Sequence, residues 1–280
     1  AAGKPIFLEL SSINPVILLP GAIRERGHEI AEEFTASCLM GAGQFCTNPG
    51  VVMLLAGDAT EQWIREVTDR FARAPVGTLL SGSVEKSLAS AIDTIENAAA
   101  QRLTPSTEAP TDRFCCANTL LRVSGQQFLA QPDVMQTEAF GNASLLVVAA
   151  DVEEAANVVE SMEGNLTGTI YSARDGEDDS TYERLSPGLR LRVGRLLNDK
   201  MPTGVAVSPA MNHGGPYPAT GNALFTAVGI PASLQRFSAL QCFDNVRPAR
   251  LPVCLQDKNP HRQMWRNLDG SWTRSDVDAP

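Results

Sequence analysis

Features that mark several classes of protein are missing from this sequence of 280 residues. No apolar run approaches the roughly 18 residues that a membrane-spanning helix needs, so we do not expect a membrane protein. There is no block of clustered Lys and Arg, and the formal net charge is −9. Since phosphate binding requires such clusters, we do not expect a nucleic-acid partner. We also do not expect these first residues to be a secretory signal peptide, because Glu9 and Asn14 interrupt their apolar run.

The six cysteines form no C-x-x-C pair, and the three histidines stand far apart along the chain. Cys115 and Cys116 are adjacent, which is a poor arrangement for a disulfide. Cysteines without disulfide or zinc-ligand spacing are typical of a reduced chain. We therefore expect a cytoplasmic protein with free thiols and no metal site.

The composition that is present suits a globular protein, with 43% hydrophobic and 20% charged residues. Short apolar runs alternate with helical patterns. These patterns predict strands at 16–19, 51–57, 118–124, 144–150, 166–172, 191–198 and 203–207, and helices at 22–40, at 84–100 and after the N-caps Asp58 and Asp151. Such alternation predicts an α/β fold with a mostly parallel sheet that is covered on both faces. The opening run "KPIFLEL" is also strand-like, and we expect it to continue a structure that precedes this chain.

The stretch "GAGQFCTNPG" at 41–50 places Cys46 among glycines, where neither a regular helix nor a central strand is expected. A thiolate attacks carbonyl carbon well and is a good leaving group from an acyl intermediate. The backbone N–H groups of Cys46 and Thr47 are candidates to face a developing oxyanion. The alternative is a buried free cysteine beside a glycine turn, and this stretch alone favours that alternative.

Two carboxylates stand next to apolar residues. Glu9 lies in "FLELSSINP", where desolvation would raise its pKa and suit it to general-base catalysis; a solvent-facing Glu on an edge strand is the alternative. Glu138 and Phe140 lie in "TEAFGN", before a predicted buried strand. An aromatic ring and a carboxylate at the mouth of an α/β sheet can hold a flat, hydroxyl-bearing ligand, and a simple helix-to-strand connection is the alternative.

Taken together and in this order, "ELSSINP", "GQFCTNPG", "TEAFG" and "NHGGPYPATGN" resemble the aldehyde dehydrogenase superfamily over nearly the whole chain. The variants "SSINP" and "CTNPG" are similar to the branch of α-ketoglutarate semialdehyde (2,5-dioxopentanoate) dehydrogenases and NADP-dependent fatty aldehyde dehydrogenases. The resemblance implies a three-layer α/β fold and oxidation of an aldehyde to a carboxylic acid with NADP or NAD. The expected substrate is α-ketoglutarate semialdehyde. The alternatives are a long-chain fatty aldehyde dehydrogenase, or a catalytically incomplete half-chain that serves binding or oligomerisation.

The resemblance also implies a role for each matching residue. Cys46 would be the nucleophile that forms a thiohemiacetal and then a thioester, and Glu9 would activate the water that hydrolyses the thioester. Glu138 would hydrogen-bond the nicotinamide ribose, and Phe140 would pack near the nicotinamide ring. The loop at 212–215 would lie near the substrate entrance, although the residues that follow it depart from the common pattern of the family.

The resemblance divides the chain into a catalytic domain at 1–240 and a C-terminal extended oligomerisation segment at 241–280. "VRPARLPVCL" is a candidate interface strand, and a homodimer or homotetramer is expected. In this family the dinucleotide-binding part lies mostly before the Glu motif, and the sequence has no G-x-G-x-x-G loop. We therefore expect that part to be largely absent and the chain alone not to transfer hydride. A plain cysteine hydrolase is a further interpretation. The histidine positions follow no pattern that suggests a base beside Cys46, and a position of His213 near it in space stays open.

Overall fold

The computed structural model describes residues 3, 6–105, 110, 112–204, 208–223, 231–260 and 262–277. The chain divides into two compact units, Ala1–Arg236 and Phe237–Pro280. The helices are α1 Pro20–Leu39, α2 Asp58–Arg73, α3 Gly82–Asn97, α4 Gly125–Ala130, α5 Pro132–Met135, α6 Val152–Ser161 and α7 Asp179–Arg192. The strands are β1 Val16–Leu18, β2 Val51–Leu55, β3 Gln101–Arg102, β4 Thr119–Ser124, β5 Ala143–Ala149, β6 Asn165–Tyr171, β7 Val193–Asn198, β8 Arg266–Leu268 and β9 Ser271–Thr273. Short 3₁₀ turns lie at Met40–Gly43, Pro231–Phe237, Pro248–Arg250 and Val253–Leu255.

The first unit is built on a seven-stranded sheet with the order β3-β4-β5-β2-β1-β6-β7. Every neighbouring pair is parallel except β3 with β4. The central strand β1 pairs Ile17 with Met53 of β2 on one side and with Ile170 of β6 on the other. The predicted α/β class with a mostly parallel sheet is confirmed.

Alternate residues of the central strands enter two separate cores, one on each face of the sheet. Val16 and Leu18 join the face covered by α1 and α2. On that face the ring of Phe34 lies 5.6 Å from that of Phe71 and 5.7 Å from that of Trp63. Ile17 and its neighbours in β2 and β5 join the opposite face, covered by α3, α4, α6 and α7. Because both faces are covered, the strands are continuous apolar runs, as the sequence pattern indicated.

Two helix boundaries test the predicted caps. Asp151 is the N-cap of α6, since its carboxylate accepts a hydrogen bond from the N–H of Glu154 at 2.8 Å. The prediction for Asp58 was wrong, because Gly57 occupies the cap position and makes no side-chain hydrogen bond. Asp58 lies in the first turn, where its negative charge still interacts favourably with the helix N-terminus.

Three predicted segments differ from the structure. The predicted strand at 191–198 begins only at Val193, because residues 191–192 complete α7, a helix that the sequence pattern did not predict. Pro187 inside α7 interrupts the helical pattern, although the helix still buries Leu185 and Leu189. The described part of the opening run, 6–10, makes an isolated bridge between Glu9 and Thr220 rather than a strand. Of the predicted strand at 203–207, the first two residues form a bend and 205–207 lie outside the described residues.

The second unit contains the antiparallel hairpin of β8 and β9. Its two-residue turn has φ of 50° at Asp269 and 85° at Gly270, the positive values that tight hairpins favour. Arg266 donates hydrogen bonds to the carbonyl oxygens of Asp257 and Ser275 at 3.0 and 2.8 Å. The predicted interface strand "VRPARLPVCL" instead holds two 3₁₀ turns, and an oligomerisation role for this segment stays a prediction.

Candidate active site

The predicted site residues lie just before strands, at the amino-terminal edge of the parallel sheet. Glu9 precedes β1, Cys46 precedes β2, and Glu138 and Phe140 precede β5. These three strands are neighbours in the order β5-β2-β1, so their amino ends meet at one edge. Open α/β sheets usually bind ligands at the carboxyl ends of their strands, and this chain gathers its candidate residues at the opposite edge.

Cys46 follows a tight turn made by consecutive left-handed residues. The φ angles of Gly41, Ala42 and Gly43 are 56°, 57° and 71°. A Cβ atom at Gly43 would lie 2.0 Å from the carbonyl oxygen of Gly141 in the loop before β5. Glycine is therefore required there, both for its backbone conformation and for the close approach of the two loops.

The side chain of Asn14 holds the cysteine turn in place. Its Nδ2 donates to the carbonyl oxygens of Cys46 and Asn48 at 2.9 and 3.0 Å. Its Oδ1 accepts hydrogen bonds from the hydroxyls of Ser12 and Thr167 at 2.9 and 3.0 Å. Because Asn14 is buried, these bonds are shielded from water and fix the turn against the segment that carries Glu9.

Asn165, at the start of β6, holds the segment before β1 in place through hydrogen bonds. Its Oδ1 accepts hydrogen bonds from the N–H groups of Ile13 and Asn14 at 2.8 and 3.1 Å. A Cβ atom at Gly215 would lie 2.2 Å from the Asn165 carbonyl oxygen. The start of β6 therefore contacts both the segment before β1 and the loop at 212–215.

Cys46, Glu9 and His213 converge at this edge. The Nε2 atom of His213 lies 3.4 Å from Sγ of Cys46 and 3.4 Å from Oε2 of Glu9. The ligand-type atoms of the three residues all lie within 4.8 Å of one another. Cys46 is half-buried, His213 is buried and Glu9 is partly exposed. The structure therefore places a thiol, an imidazole and a carboxylate within reach of one substrate atom.

Backbone pairing positions Glu9, and a side-chain hydrogen bond positions the loop of His213. The N–H of Leu10 donates to the carbonyl oxygen of Ala219 at 2.9 Å, and that of Gly221 donates to Leu8 at 2.8 Å. These bonds hold Glu9 opposite Thr220. The loop that carries His213 is fixed by Asn212, whose Nδ2 donates to the carbonyl oxygen of Gly194 in β7 at 3.0 Å.

The surroundings of the Cys46 thiol act on its pKa in both directions. Burial raises the pKa, and the Glu9 carboxylate raises it further. The backbone N–H groups of Cys46 and Thr47, together with the Arg195 guanidinium, lower the pKa. Since the net shift is upward, the thiol keeps its proton at neutral pH and needs a base to remove it. The two N–H groups that the sequence singled out do face the sulfur.

Arg195, on β7, is a half-buried cation near the thiol. Burial lowers the pKa of its guanidinium. Its Nη1 donates to Sδ of Met211 at 3.0 Å. Its Nε and Nη2 are shielded from solvent and have no hydrogen-bond partner among the residues that the structure describes. Shielded donors are costly to leave without a hydrogen bond, so these two nitrogens are available to bind an anionic group.

Glu138 and Phe140 border a cavity beside the cysteine turn. The cavity is lined by both residues together with Phe45, Ser12 and other side chains of the loops before β1, β2 and β5. Burial raises the pKa of Glu138, whose carboxylate accepts hydrogen bonds from the Ser11 hydroxyl and the Ser12 N–H. Phe140 and Phe45 are 39% and 37% exposed, so their rings are available to a flat ligand.

The family resemblance assigned Cys46 and Glu9 to one site, but sequence reasoning assigned no role to Arg195 or Asn14 and left the position of His213 open. His213 and Arg195 lie far along the chain, and no short motif relates their spacing to that of Cys46. Asn14 is part of the motif "SSINP", but nothing in its local sequence predicts the hydrogen bond to the Cys46 carbonyl oxygen. His213 lay inside "NHGG", and that overlap was the one available signal.

Within the described ranges, no helix combines the length and the apolar character needed to cross a bilayer.

A sequence profile of the aldehyde dehydrogenase family matches residues 1–215. Among characterised proteins, the chain is 38% identical over 256 residues to "Alpha-ketoglutaric semialdehyde dehydrogenase 2" of Azospirillum brasilense. It is 35% identical over 256 residues to "Alpha-ketoglutaric semialdehyde dehydrogenase" of Acinetobacter baylyi. Each alignment covers 91% of this chain and 48% of the relative. The chain thus spans about half the length of these relatives.

Solved structures share the fold. A 1-pyrroline-5-carboxylate dehydrogenase from Thermus with bound NAD superposes with a TM-score of 0.67 at 22% identity, over 82% of this chain and 43% of that chain. A betaine aldehyde dehydrogenase from Staphylococcus aureus in complex with NAD⁺ superposes with a TM-score of 0.66 at 15% identity, over 82% and 45% of the two chains.

Proposed function

Since the chain belongs to the aldehyde dehydrogenase family, we propose that it carries out the covalent chemistry of an NAD(P)-dependent aldehyde oxidation. The observation that carries this proposal is the convergence of Cys46, Glu9 and His213, with Nε2 of His213 3.4 Å from both the thiol sulfur and a carboxylate oxygen. A nucleophile, a proton acceptor and a second base are therefore available at one point.

The first step is attack of the Cys46 sulfur on the aldehyde carbon. His213 accepts the thiol proton at Nε2, because it is the basic nitrogen in contact with the sulfur. The N–H groups of Cys46 and Thr47, which face the sulfur, donate to the oxygen as negative charge develops on it. The product is a thiohemiacetal on Cys46 in its alkoxide form, with the proton held on His213.

The second step is release of the acid. Once the thiohemiacetal has been oxidised to a thioester, Glu9 removes a proton from a water molecule that attacks the thioester carbon. Glu9 is suited to this because 37% of its side chain is exposed and water can reach it. The carboxylic acid leaves and the Cys46 thiolate is regenerated.

The residues of this chain fit the nicotinamide end of the cofactor. The cavity beside the cysteine turn offers the rings of Phe45 and Phe140 and the carboxylate of Glu138, which suit a flat ring and a hydroxyl-bearing sugar. When bound, NAD or NADP supplies the hydride acceptor. Glu138 would hold a ribose hydroxyl and Phe140 would pack beside the ring, as the resemblance implies.

For the substrate, we propose α-ketoglutarate semialdehyde, the compound named in both characterised relatives. Arg195 supports a substrate with a carboxylate, since its Nε and Nη2 lack hydrogen-bond partners among the described residues. Its positive charge also interacts electrostatically with the Cys46 thiol. A long-chain fatty aldehyde, the alternative, has no group that would accept hydrogen bonds from these two shielded nitrogens.

The test of activity is an assay of the full-length protein with α-ketoglutarate semialdehyde and with a long-chain aldehyde, with NAD and NADP in parallel. We expect oxidation of the semialdehyde and loss of activity in Cys46→Ala. A preference for long apolar aldehydes would overturn the substrate. Full activity in Cys46→Ala would overturn the mechanism and favour a binding or oligomerisation role for this part of the protein.

The test of Arg195 is the variant Arg195→Gln. Loss of a charged hydrogen bond costs about 1.5–3 kcal/mol, so KM for the semialdehyde should rise about 10- to 100-fold. The KM for a long-chain aldehyde should change little. Arg174→Gln is the control, because that arginine is exposed. An equal rise in KM for both aldehydes would show that Arg195 does not bind the substrate carboxylate.

A second candidate function follows from the contact between Cys46 and His213. A thiol paired with an imidazole also supports hydrolysis of esters or thioesters without a nicotinamide cofactor. Hydrolysis of p-nitrophenyl acetate, measured with and without NAD(P), separates the two candidates. Ester hydrolysis without any aldehyde oxidation by the full-length protein would favour the hydrolase.

Cytoplasmic location and a homodimer or homotetramer complete the proposal. The six unpaired cysteines, two of them exposed, support a reducing compartment. The oligomeric state rests on the family resemblance alone, and sedimentation of the full-length protein tests it.

A further inference from the structure

We propose that Glu9, Cys46 and His213 form a three-ligand binding site for Zn²⁺, and that occupation of this site reversibly blocks the thiol. The inference does not depend on the proposed oxidation, because metal binding is measured on the chain itself. It reverses the expectation that the chain has no metal site, which relied on the separation of the histidines along the sequence.

The two separations from His213 Nε2 match those of a tetrahedral zinc centre. Bond lengths of about 2.3 Å to sulfur, about 2.0 Å to nitrogen and about 2.1 Å to oxygen require S···N and N···O separations of about 3.5 and about 3.4 Å. The Cys46 Sγ to His213 Nε2 distance is 3.4 Å, and the His213 Nε2 to Glu9 Oε2 distance is 3.4 Å. The same nitrogen faces both partners, and all three atoms lie within 4.8 Å of one another.

The chemistry of the donors selects the class of metal. A thiolate, an imidazole and a carboxylate suit Zn²⁺ and its soft analogue Cd²⁺, whereas Mg²⁺ and Ca²⁺ prefer sets of oxygen ligands. Three protein ligands leave a fourth position for water or another small ligand. Glu9 is 37% exposed in its side chain, which provides an entry path from solvent.

Each ligand is held by a different part of the fold, so the site is largely formed before a metal arrives. The Cys46 turn is fixed by Asn14, which donates to the Cys46 carbonyl oxygen at 2.9 Å. Glu9 is held opposite Thr220 by backbone pairing, and the loop of His213 is fixed against β7 through Asn212. Preformed ligands lower the cost of ordering them on binding.

The charges of the bound state balance. The Cys46 S–H bond is replaced by an S–Zn bond, and one proton passes to the buffer. Zn²⁺ with one thiolate and one carboxylate sums to zero, so binding of Zn²⁺ with release of one proton raises the net charge of the three side chains by one. The positive charge of the nearby Arg195 guanidinium, which interacts electrostatically with Cys46, repels the bound cation. The occupied site removes both the nucleophile and the base from the reaction.

The experiment is a titration of the purified chain with Co²⁺, whose absorption reports tetrahedral thiolate coordination, followed by competition with Zn²⁺. Cys242→Ser and Cys254→Ser are introduced first, because these exposed thiols would bind metal elsewhere. We expect one Co²⁺ per chain, displaced by Zn²⁺. Absence of the thiolate-to-cobalt band would overturn the proposal.

Variants assign the ligands. Cys46→Ser, Glu9→Gln and His213→Gln should each weaken Zn²⁺ at least about tenfold, since even the loss of outer-shell partners costs 10- to 100-fold. The control is His28→Gln, because the exposed pair of His28 and Glu66, 2.7 Å apart, lies outside the site. Unchanged affinity in His213→Gln, or an equal loss in His28→Gln, would overturn the assignment.

A measurement on the unmutated ligands covers the case in which a variant fails to fold. Zn²⁺ should slow alkylation of Cys46 by iodoacetamide at least about tenfold, and EDTA should restore the rate. Labelling of Cys46 at the same rate with and without Zn²⁺ would overturn the proposal.

Discussion

Cys38 and Cys46 lie close together in the sequence, yet their surroundings differ. Cys38 is fully buried on α1, where its thiol donates to the carbonyl oxygen of Ala143 at 3.7 Å and accepts from Asn48 at 3.8 Å. Burial raises the pKa of Cys38 to about 12. Cys46 is half-buried and faces an imidazole, a carboxylate and two N–H groups. Reactivity is therefore decided by what the fold places beside the sulfur.

The largest expected effect is on activity. Cys46→Ala should lower kcat/KM of the full-length enzyme by at least about 10³-fold, because removal of a covalent nucleophile leaves only binding and electrostatic effects. Cys38→Ala is the matched control and should retain most of the activity. Comparable losses in the two variants would remove the distinction between the thiols.

The next effect is on chemical labelling. At pH 8, a thiol with a pKa of about 12 is ionised in about one molecule in ten thousand. Iodoacetamide should therefore modify Cys46 at least about 100 times faster than Cys38, as measured by mass spectrometry of the digested protein. Similar rates would show that the burial of Cys38 is not maintained in solution.

The turn between the two thiols should be sensitive to a single methyl group. Gly43→Ala forces a side chain into φ of 71° and towards the Gly141 carbonyl oxygen, so we expect a loss of about 3 kcal/mol in the free energy of unfolding. The control is Gly204→Ala, where φ is also positive but no atom lies within 4 Å of an added Cβ. That variant should lose about 1 kcal/mol by urea denaturation. Equal losses would exclude the close loop contact as the cause.

The smallest effect concerns the charge beside Cys46. The Glu9 carboxylate raises the pKa of Cys46, so Glu9→Gln should lower that pKa and increase the thiolate fraction at pH 8. Alkylation of Cys46 should become several-fold faster, and its pH profile should move to lower pH. Alkylation of Cys38 is the internal reference. A slower reaction of Cys46 would show that Glu9 assists ionisation of the thiol instead.

Much of the fold follows from local patterns. The strands of the central sheet are continuous apolar runs, and Asp151 caps its helix through a contact three residues away. Helix α7 escaped prediction because Pro187 breaks its pattern, while packing against the sheet compensates for the missing hydrogen bond. The neighbours of each strand are not encoded locally, since pairing joins segments that are distant in the chain.

By itself, the sequence determined the apolar strands, the glycine turn that presents Cys46 and the motif order that identifies the family. Only the tertiary structure decided that His213, 167 positions away, contacts the Cys46 sulfur, and that Asn14 holds the turn. It also decided that Nε and Nη2 of Arg195 have no hydrogen-bond partner among the described residues. The physical reason is that a local pattern reports the environment of a segment. A contact between side chains depends on the strand order that brings the amino ends of β5, β2, β1 and β6 to one edge.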